Sequence, residues 1–222
     1  LMAKKIGVVL SGCGVYDGSE IYEAVLTLLA LDRAGAEIVC MAPNMEQMHV
    51  VNHLTGEVAT GEKRNVLVES ARIARGKIKD IKDVRIEDID GLVLPGGFGA
   101  AKNLSDFAEA GMDCQVHREV RRLIKGLIVK GKPVAAICIA PVLIAKVLSE
   151  EGFSHTITIG NDKETAQTLA LMGSTHNECL VNRFVYDHHN KLITTPAYML
   201  AKSIGEAAAG IEAAIHKLME VA

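Results

Sequence analysis

The chain has 222 residues, 49% hydrophobic and 23% charged, with a formal net charge of −3. A single α/β domain buries a full core at this length. No apolar run approaches the roughly 20 residues that cross a bilayer, and a mixed, slightly negative charge excludes a nucleic-acid footprint. Aromatic residues make up only 4% and Trp is absent, which argues against a stacking surface for bases or sugars.

Leu1 precedes Met2 and is set aside. Met2 to Lys5 leads straight into a short apolar strand with no h-region, so no secretory signal is visible. The cysteines Cys13, Cys40, Cys114, Cys138 and Cys179 are odd in number and show no CxxC spacing, which suggests neither a zinc site nor a disulfide framework. Free thiols without a signal predict a reducing, cytoplasmic location.

Lys5–Leu10 is a β-branched run of strand length that ends in the loop Ser11-Gly12-Cys13-Gly14. Residues 20–34 carry helical apolar spacing, with Ser19 as the expected N-cap and Gly35 as the stop. Residues 36–42 form a second apolar strand, completing a βαβ unit. His53-Leu54-Thr55-Gly56 reads as a turn or small hairpin, and residues 65–75 as a helix. Gly91–Leu94 is a strand running into Pro95-Gly96-Gly97-Phe98-Gly99. Residues 116–130 predict a long helix ended by Gly131. Residues 133–137 predict a strand, and a helix follows to about Leu148. Further elements are a strand at 156–159, a helix at 163–172, and a β pair at 180–186 and 191–195. A helix at 201–219 closes the chain, with Ile204, Ala208, Ile211, Ile215 and Leu218 on one face. No linker or repeat interrupts residues 3–222, so one domain is expected. Its fold class is α/β, a three-layer sandwich around a doubly wound, mostly parallel sheet, with sites at the carboxyl ends of the strands.

Cys138 falls at the end of the strand at 133–137, on a turn crowded by Ala135, Ala136 and Ala140, with Pro141 near the first helical turn. A thiol there feels a helix N-terminus, which favours thiolate. The Ile139 N–H is placed to hold an oxyanion built on Cys138. Residues 95–99 let backbone approach a ligand without Cβ obstruction, and their N–H groups offer the other half of an oxyanion hole. The loop lacks the Lys-Ser/Thr of a phosphate-binding loop, and Gly12-Cys13-Gly14 lacks the third glycine of a dinucleotide fingerprint.

Three stretches together resemble the PfpI/DJ superfamily, whose fold is that of class I glutamine amidotransferases: residues 18–23, residues 95–104 and the elbow at Cys138. Residues 11–18, Thr55-Gly56-Glu57 and residues 194–199 bring the match closer to the ElbB type, named for enhancing lycopene (isoprenoid) biosynthesis. The resemblance implies a nucleophile at Cys138 and a partner acid on the first helix at Glu23, with Glu20 as the near alternative. It implies oxyanion and substrate contacts at Gly96, Gly97, Ile139 and Asn103. Cys13 and His176 stand as further candidates, His176 as a third partner. Relatives that act as proteases often carry His directly after the cysteine, and glutaminases use Gly-x-Cys-x-Gly; Ile139, Ala136 and Ala140 depart from both patterns. The implied activity is a glutathione-independent glyoxalase acting on glyoxal, with methylglyoxal as a second substrate and with activity on glycated groups as an accompanying or indirect effect. It needs no cofactor or metal, takes a small dicarbonyl as its partner, and forms a homodimer. The rivals are a redox-responsive regulatory protein and a glutaminase-like accessory subunit.

Overall fold

The computed structural model describes residues 2–222; Leu1, set aside above, lies outside the described residues. In chain order the first half forms β1 (Lys5–Val9), α1 (Ile21–Arg33), β2 (Glu37–Ala42), β3 (Val51–Asn52), β4 (Glu57–Val58), α2 (Val66–Ile73), β5 (Lys79–Asp80), β6 (Gly91–Leu94), α3 (Phe98–Lys102) and α4 (Phe107–Ala110). The second half forms α5 (Arg118–Val129), β7 (Val134–Ile137), α6 (Pro141–Glu150), β8 (Thr156–Ile157), α7 (Lys163–Leu171), β9 (Thr175–His176), β10 (Val185–Asp187), β11 (Leu192–Thr195) and α8 (Ile204–Val221).

Seven strands form one sheet in the order β10-β11-β7-β6-β1-β2-β5, parallel except for the β10–β11 pair. Alternation along each strand sends side chains to two cores. Ile6, Val8, Val93, Ala135, Ile137 and Ile193 face one core, which α1, α2 and α8 complete through Leu31, Val66, Ile211 and Ile215. Val9, Leu92, Leu94, Val134, Ala136 and Leu192 face the other, completed by α5, α6 and α7 through Leu123, Leu127, Leu143, Ile144 and Leu169. The protein is thus an α/β sandwich of flavodoxin-like, class I glutamine amidotransferase-like architecture. β1 runs to β2 on one side of the sheet and the chain later returns to β6 on the other. The order therefore reverses between β1 and β6, where a crevice opens at the carboxyl ends.

Several sequence expectations change. Glu20, not Ser19, caps α1, its carboxylate accepting from the Glu23 N–H. The Ser19 hydroxyl is spent on the Ser11 N–H. The helix expected from 116 starts at Arg118, because Val116 bridges to Ser105 and His117 takes the cap. The strand expected at 156–159 stays outside the main sheet as β8, paired with β9. There the Thr156 N–H donates to the Asp187 carboxylate and the Thr158 N–H to the Thr194 hydroxyl, so side chains take the place of a ladder. The strand expected at 180–186 contracts to β10, and Ile204 at the start of α8 is exposed, outside the core its spacing implied.

Candidate active site

Three loops meet at the crevice: residues 10–20 after β1, 95–97 after β6, and Cys138 after β7. Backbone bonds lace the first two together. The Glu20 N–H donates to the Gly96 carbonyl at 2.9 Å, and the Phe98 N–H to the Val15 carbonyl at 2.8 Å. Cys138 sits in the left-handed region at φ +63°, a conformation that costs a non-glycine residue free energy and turns the chain abruptly from strand to helix. Its N–H is held by the Thr195 carbonyl at 3.0 Å, and α6 starts three residues on with Pro141 in its first turn. The strand-to-helix elbow read from the sequence is therefore present, tied by that hydrogen bond to the end of β11.

Glu23, on the first turn of α1, is completely buried. One carboxyl oxygen accepts from the Gly96 N–H at 3.0 Å and the other from the Tyr198 N–H at 3.2 Å, and the carboxyl is hydrogen-bonded to Cys138. Burial, helped by the nearby Glu20 charge, pushes its pKa up to about 8, against the pull of these hydrogen bonds. The carboxyl is thus largely protonated at neutral pH. The Cys138 thiol is also pushed up, first by burial and then by any negative charge on Glu23, while the N–H groups of Ile139 and Gly97 pull it down. The lowering expected from the helix N-terminus alone is outweighed by desolvation. A protonated Glu23 removes the charge repulsion and leaves two amides and one O–H around the sulfur.

Gly96 and Gly97 serve different ends. A Cβ on Gly96 would stand 2.5 Å from the Cys138 Cβ and 2.6 Å from the Glu23 carboxyl, so glycine is needed for the close approach. Its N–H is already given to Glu23, so it is not free to hold an oxyanion. Gly97 has φ +99° and aims its N–H at the sulfur. The amides that face Cys138 are those of Gly97 and Ile139.

The remaining candidates fall elsewhere. Asn103 is buried with its side chain fully engaged: its amide donates to the Ser11 and Asp17 carbonyls at 2.8 and 2.9 Å and its oxygen accepts from the Met48 N–H at 2.9 Å. It clamps three segments behind the site and does not line the cleft, which corrects the substrate-binding expectation. The His176 Nε2 accepts from the Ile159 N–H at 3.1 Å, so this ring holds the β8–β9 ribbon and is not a partner of Cys138. Cys13 is half-buried beside Glu69 and Arg72, its thiol raised by burial and by the Glu69 charge, and it also lies off the cleft. Glu20 does line the cleft, though its carboxylate is tied to the cap of α1. The sequence reading missed the backbone of Tyr198 as a site group. Ala197 before it has φ +43°, a bend that presents the Tyr198 N–H to Glu23; nothing in the composition of residues 194–199 signals that contact.

Cys138 opens to a cleft of about 480 Å³ whose apolar wall includes Val15, Phe98, Ala101, Phe107, Ile139 and Met199. Among the described residues no His lines it, and no group of three or more His, Cys, Asp or Glu side chains is placed to hold a metal ion.

An elbow cysteine at the switch point of a parallel sheet, with a buried carboxyl against it, defines a class of α/β proteins, and the comparisons place this chain within it. The DJ-1/PfpI family model matches residues 12–197, and the chain belongs to that family. It is 45% identical over 228 residues to human "Glutamine amidotransferase-like class 1 domain-containing protein 3, mitochondrial", spanning 99% of this chain and 84% of that one. It is 43% identical over 226 residues to rat "ES1 protein homolog, mitochondrial", with 98% and 84% coverage. A solved structure of an isoprenoid biosynthesis protein with amidotransferase-like domain from Ehrlichia chaffeensis superposes with a TM-score of 0.90 at 38% identity, over 97% of this chain and 99% of that one. The cytoplasmic expectation does not stand, because relatives from human, rat and zebrafish are all named as mitochondrial.

Proposed function

We propose that the protein is a glutathione-independent glyoxalase that converts glyoxal to glycolate through the Cys138 thiolate. The observation that carries this reading is the buried Glu23 carboxyl hydrogen-bonded to Cys138 beneath the Gly97 and Ile139 amides. The ionised fraction of Glu23 takes the thiol proton, the thiolate so formed adds to one aldehyde carbon, and the two amides hold the resulting oxyanion. Glu23 protonates that oxygen and becomes a carboxylate. It then takes the proton from the same carbon, giving an enediolate, and returns it to the neighbouring carbon while the hydroxyl proton passes to the second oxygen. The product is a thioester, which water hydrolyses to the 2-hydroxy acid and the free thiol. A group with a pKa near 8 suits both directions of proton transfer at neutral pH. Amide hydrolysis is less well served, since among the described residues no His stands in the cleft to protonate a leaving amine.

Turnover of glyoxal, assayed without glutathione and after chelation, tests the proposal. Wild type is expected to produce glycolate, and Cys138→Ala to lose activity by about 10³-fold or more. No glycolate from wild type would overturn it. The second reading, a redox-responsive protein, is favoured by the same donors, because the Gly97 and Ile139 amides would also bind oxygens added to the sulfur. Rapid sulfinic acid formation at Cys138 in an inactive wild type would select it. The homodimer implied by the resemblance remains a proposal, supported by the exposed apolar residues Ile21, Tyr22, Val25 and Leu29 on α1 and read by sedimentation velocity.

A further inference from the structure

The space around Cys138 is poorly matched to glyoxal alone. The cleft holds about 480 Å³. Glyoxal, with roughly four heavy atoms at no more than about 30 Å³ each (the share of one water in the liquid), fills about 120 Å³ at most. The excess volume is not lined for a polar tail. Phe98, Phe107, Ile139 and Met199 supply side-chain carbon, and the Cys138 sulfur lies among them. The polar side chains present are Glu20, Thr165 and Tyr198. Glu20 is a carboxylate when ionised, and no Lys, Arg or His lines the cleft among the described residues. Lys102, whose ammonium is 5.3 Å from the Phe98 ring centroid, is committed to the Tyr16 carbonyl at 2.8 Å. An anionic substituent would meet a like charge and no cation, whereas an aryl or branched alkyl group would replace water against carbon.

We infer that the electrophile accepted at Cys138 carries an apolar substituent of about aryl size and no anionic group. This rests on the reading of Cys138 as a thiolate that adds to carbonyl carbon. Within the proposed reaction the substrate class is the 2-oxoaldehyde bearing an aryl or comparably bulky apolar substituent. The thiolate adds to its aldehyde carbon, the proton on that carbon moves to the neighbouring carbonyl carbon bearing the substituent, and water releases the substituted 2-hydroxy acid. The sequence consumes one water and needs no oxidant or reductant. The wall explains the preference in physical terms: a single methylene in a well-formed apolar pocket is worth about tenfold or more in selectivity.

Alkylation of Cys138 tests the inference independently of turnover. Three reagents share one warhead: iodoacetate is anionic, iodoacetamide small and neutral, iodoacetanilide neutral and aryl. Rate constants at the Cys138 peptide are read by mass spectrometry, which separates it from Cys13 and Cys179, and each is divided by the rate with reduced glutathione. Iodoacetanilide is expected to exceed iodoacetamide by about tenfold or more after this correction, and iodoacetate to fall below iodoacetamide by a similar factor. Phe107→Ala is expected to lower the aryl preference. Corrected rates that are equal, or that favour iodoacetate, overturn the inference. Steady-state assays then separate it from the proposed function. Phenylglyoxal turned over with higher kcat/KM than methylglyoxal and glyoxal supports both. Glyoxal turned over faster than phenylglyoxal overturns the substrate class and leaves the glyoxalase standing. An aryl preference in labelling with no turnover of any of the three overturns the glyoxalase and supports the inference about the electrophile.

Discussion

Replacing Glu23 by Gln should destroy activity and stabilise the fold, and the size of the second effect follows from the site. In the folded protein Glu23 binds its proton with a pKa of about 8, against an ordinary value of 4.5. Between these values, rising pH ionises this group in the unfolded chain but not in the folded one, so the unfolded chain gains. The stabilising contribution is complete below pH 4.5 and is lost as pH climbs toward 8. The loss is about 1 kcal/mol at pH 5 and about 3 kcal/mol at pH 7. Gln escapes this loss. It retains one acceptor for Gly96 or Tyr198 and leaves the other N–H without one, at a cost of about 1 kcal/mol. The net expectation is little difference at pH 5 and a gain of about 2 kcal/mol at pH 7, or roughly 4–8 °C in Tm for a domain of this size. Cys138 is held well above its usual range and stays protonated across this window, so it does not contribute to the difference. Urea unfolding of both proteins at pH 5, 6 and 7 measures the effect, and pairing the two cancels the titrating groups that do not interact with Glu23. A wild type that is more stable than the variant by the same margin at every pH would refute the reasoning.

Other substitutions separate building from chemistry. Gly96→Ala forces a Cβ to 2.5 Å from the Cys138 Cβ and 2.6 Å from the Glu23 carboxyl. It should cost about 1–3 kcal/mol in urea unfolding and disable the thiol–carboxyl pair, seen as altered alkylation of Cys138. Asn103→Ala strands two carbonyls and one N–H that its side chain now satisfies. A loss of about 2–4 kcal/mol in stability is expected; unchanged stability with a raised KM would instead show a substrate contact. His176→Ala removes the acceptor for the Ile159 N–H and should cost about 1 kcal/mol, with kcat/KM changed by less than about twofold. A fall of a hundredfold in kcat would restore His176 to the reaction.

The apolar periods place nearly every major element, because each strand and helix must bury one continuous face. The elbow is equally local: four small or β-branched residues, a cysteine and a proline dictate a strand that turns sharply into a helix. Glu23 was readable only through resemblance, since a glutamate on an amphipathic helix ordinarily faces water. Its burial comes from α1 packing with its first turn under the 95–97 loop. The errors share a cause. Ser19, Asn103 and His176 are polar residues whose hydrogen bonds could have gone to a cap, a substrate or a catalytic cysteine, and all three went to distant or crossing backbone instead.

What the sequence determined by itself is the set of elements and the strand-to-helix elbow at Cys138, because both depend on side-chain periodicity and on turns a few residues long. What only the tertiary structure decided is the chemistry around the sulfur. The strand order brings the ends of β1, β6 and β7 together, turns the Gly96 amide onto Glu23 rather than onto an oxyanion, and adds the Tyr198 amide from far along the chain. Proton affinity depends on burial and on every dipole within a few ångströms, and those neighbours are set by packing between segments that the sequence keeps far apart.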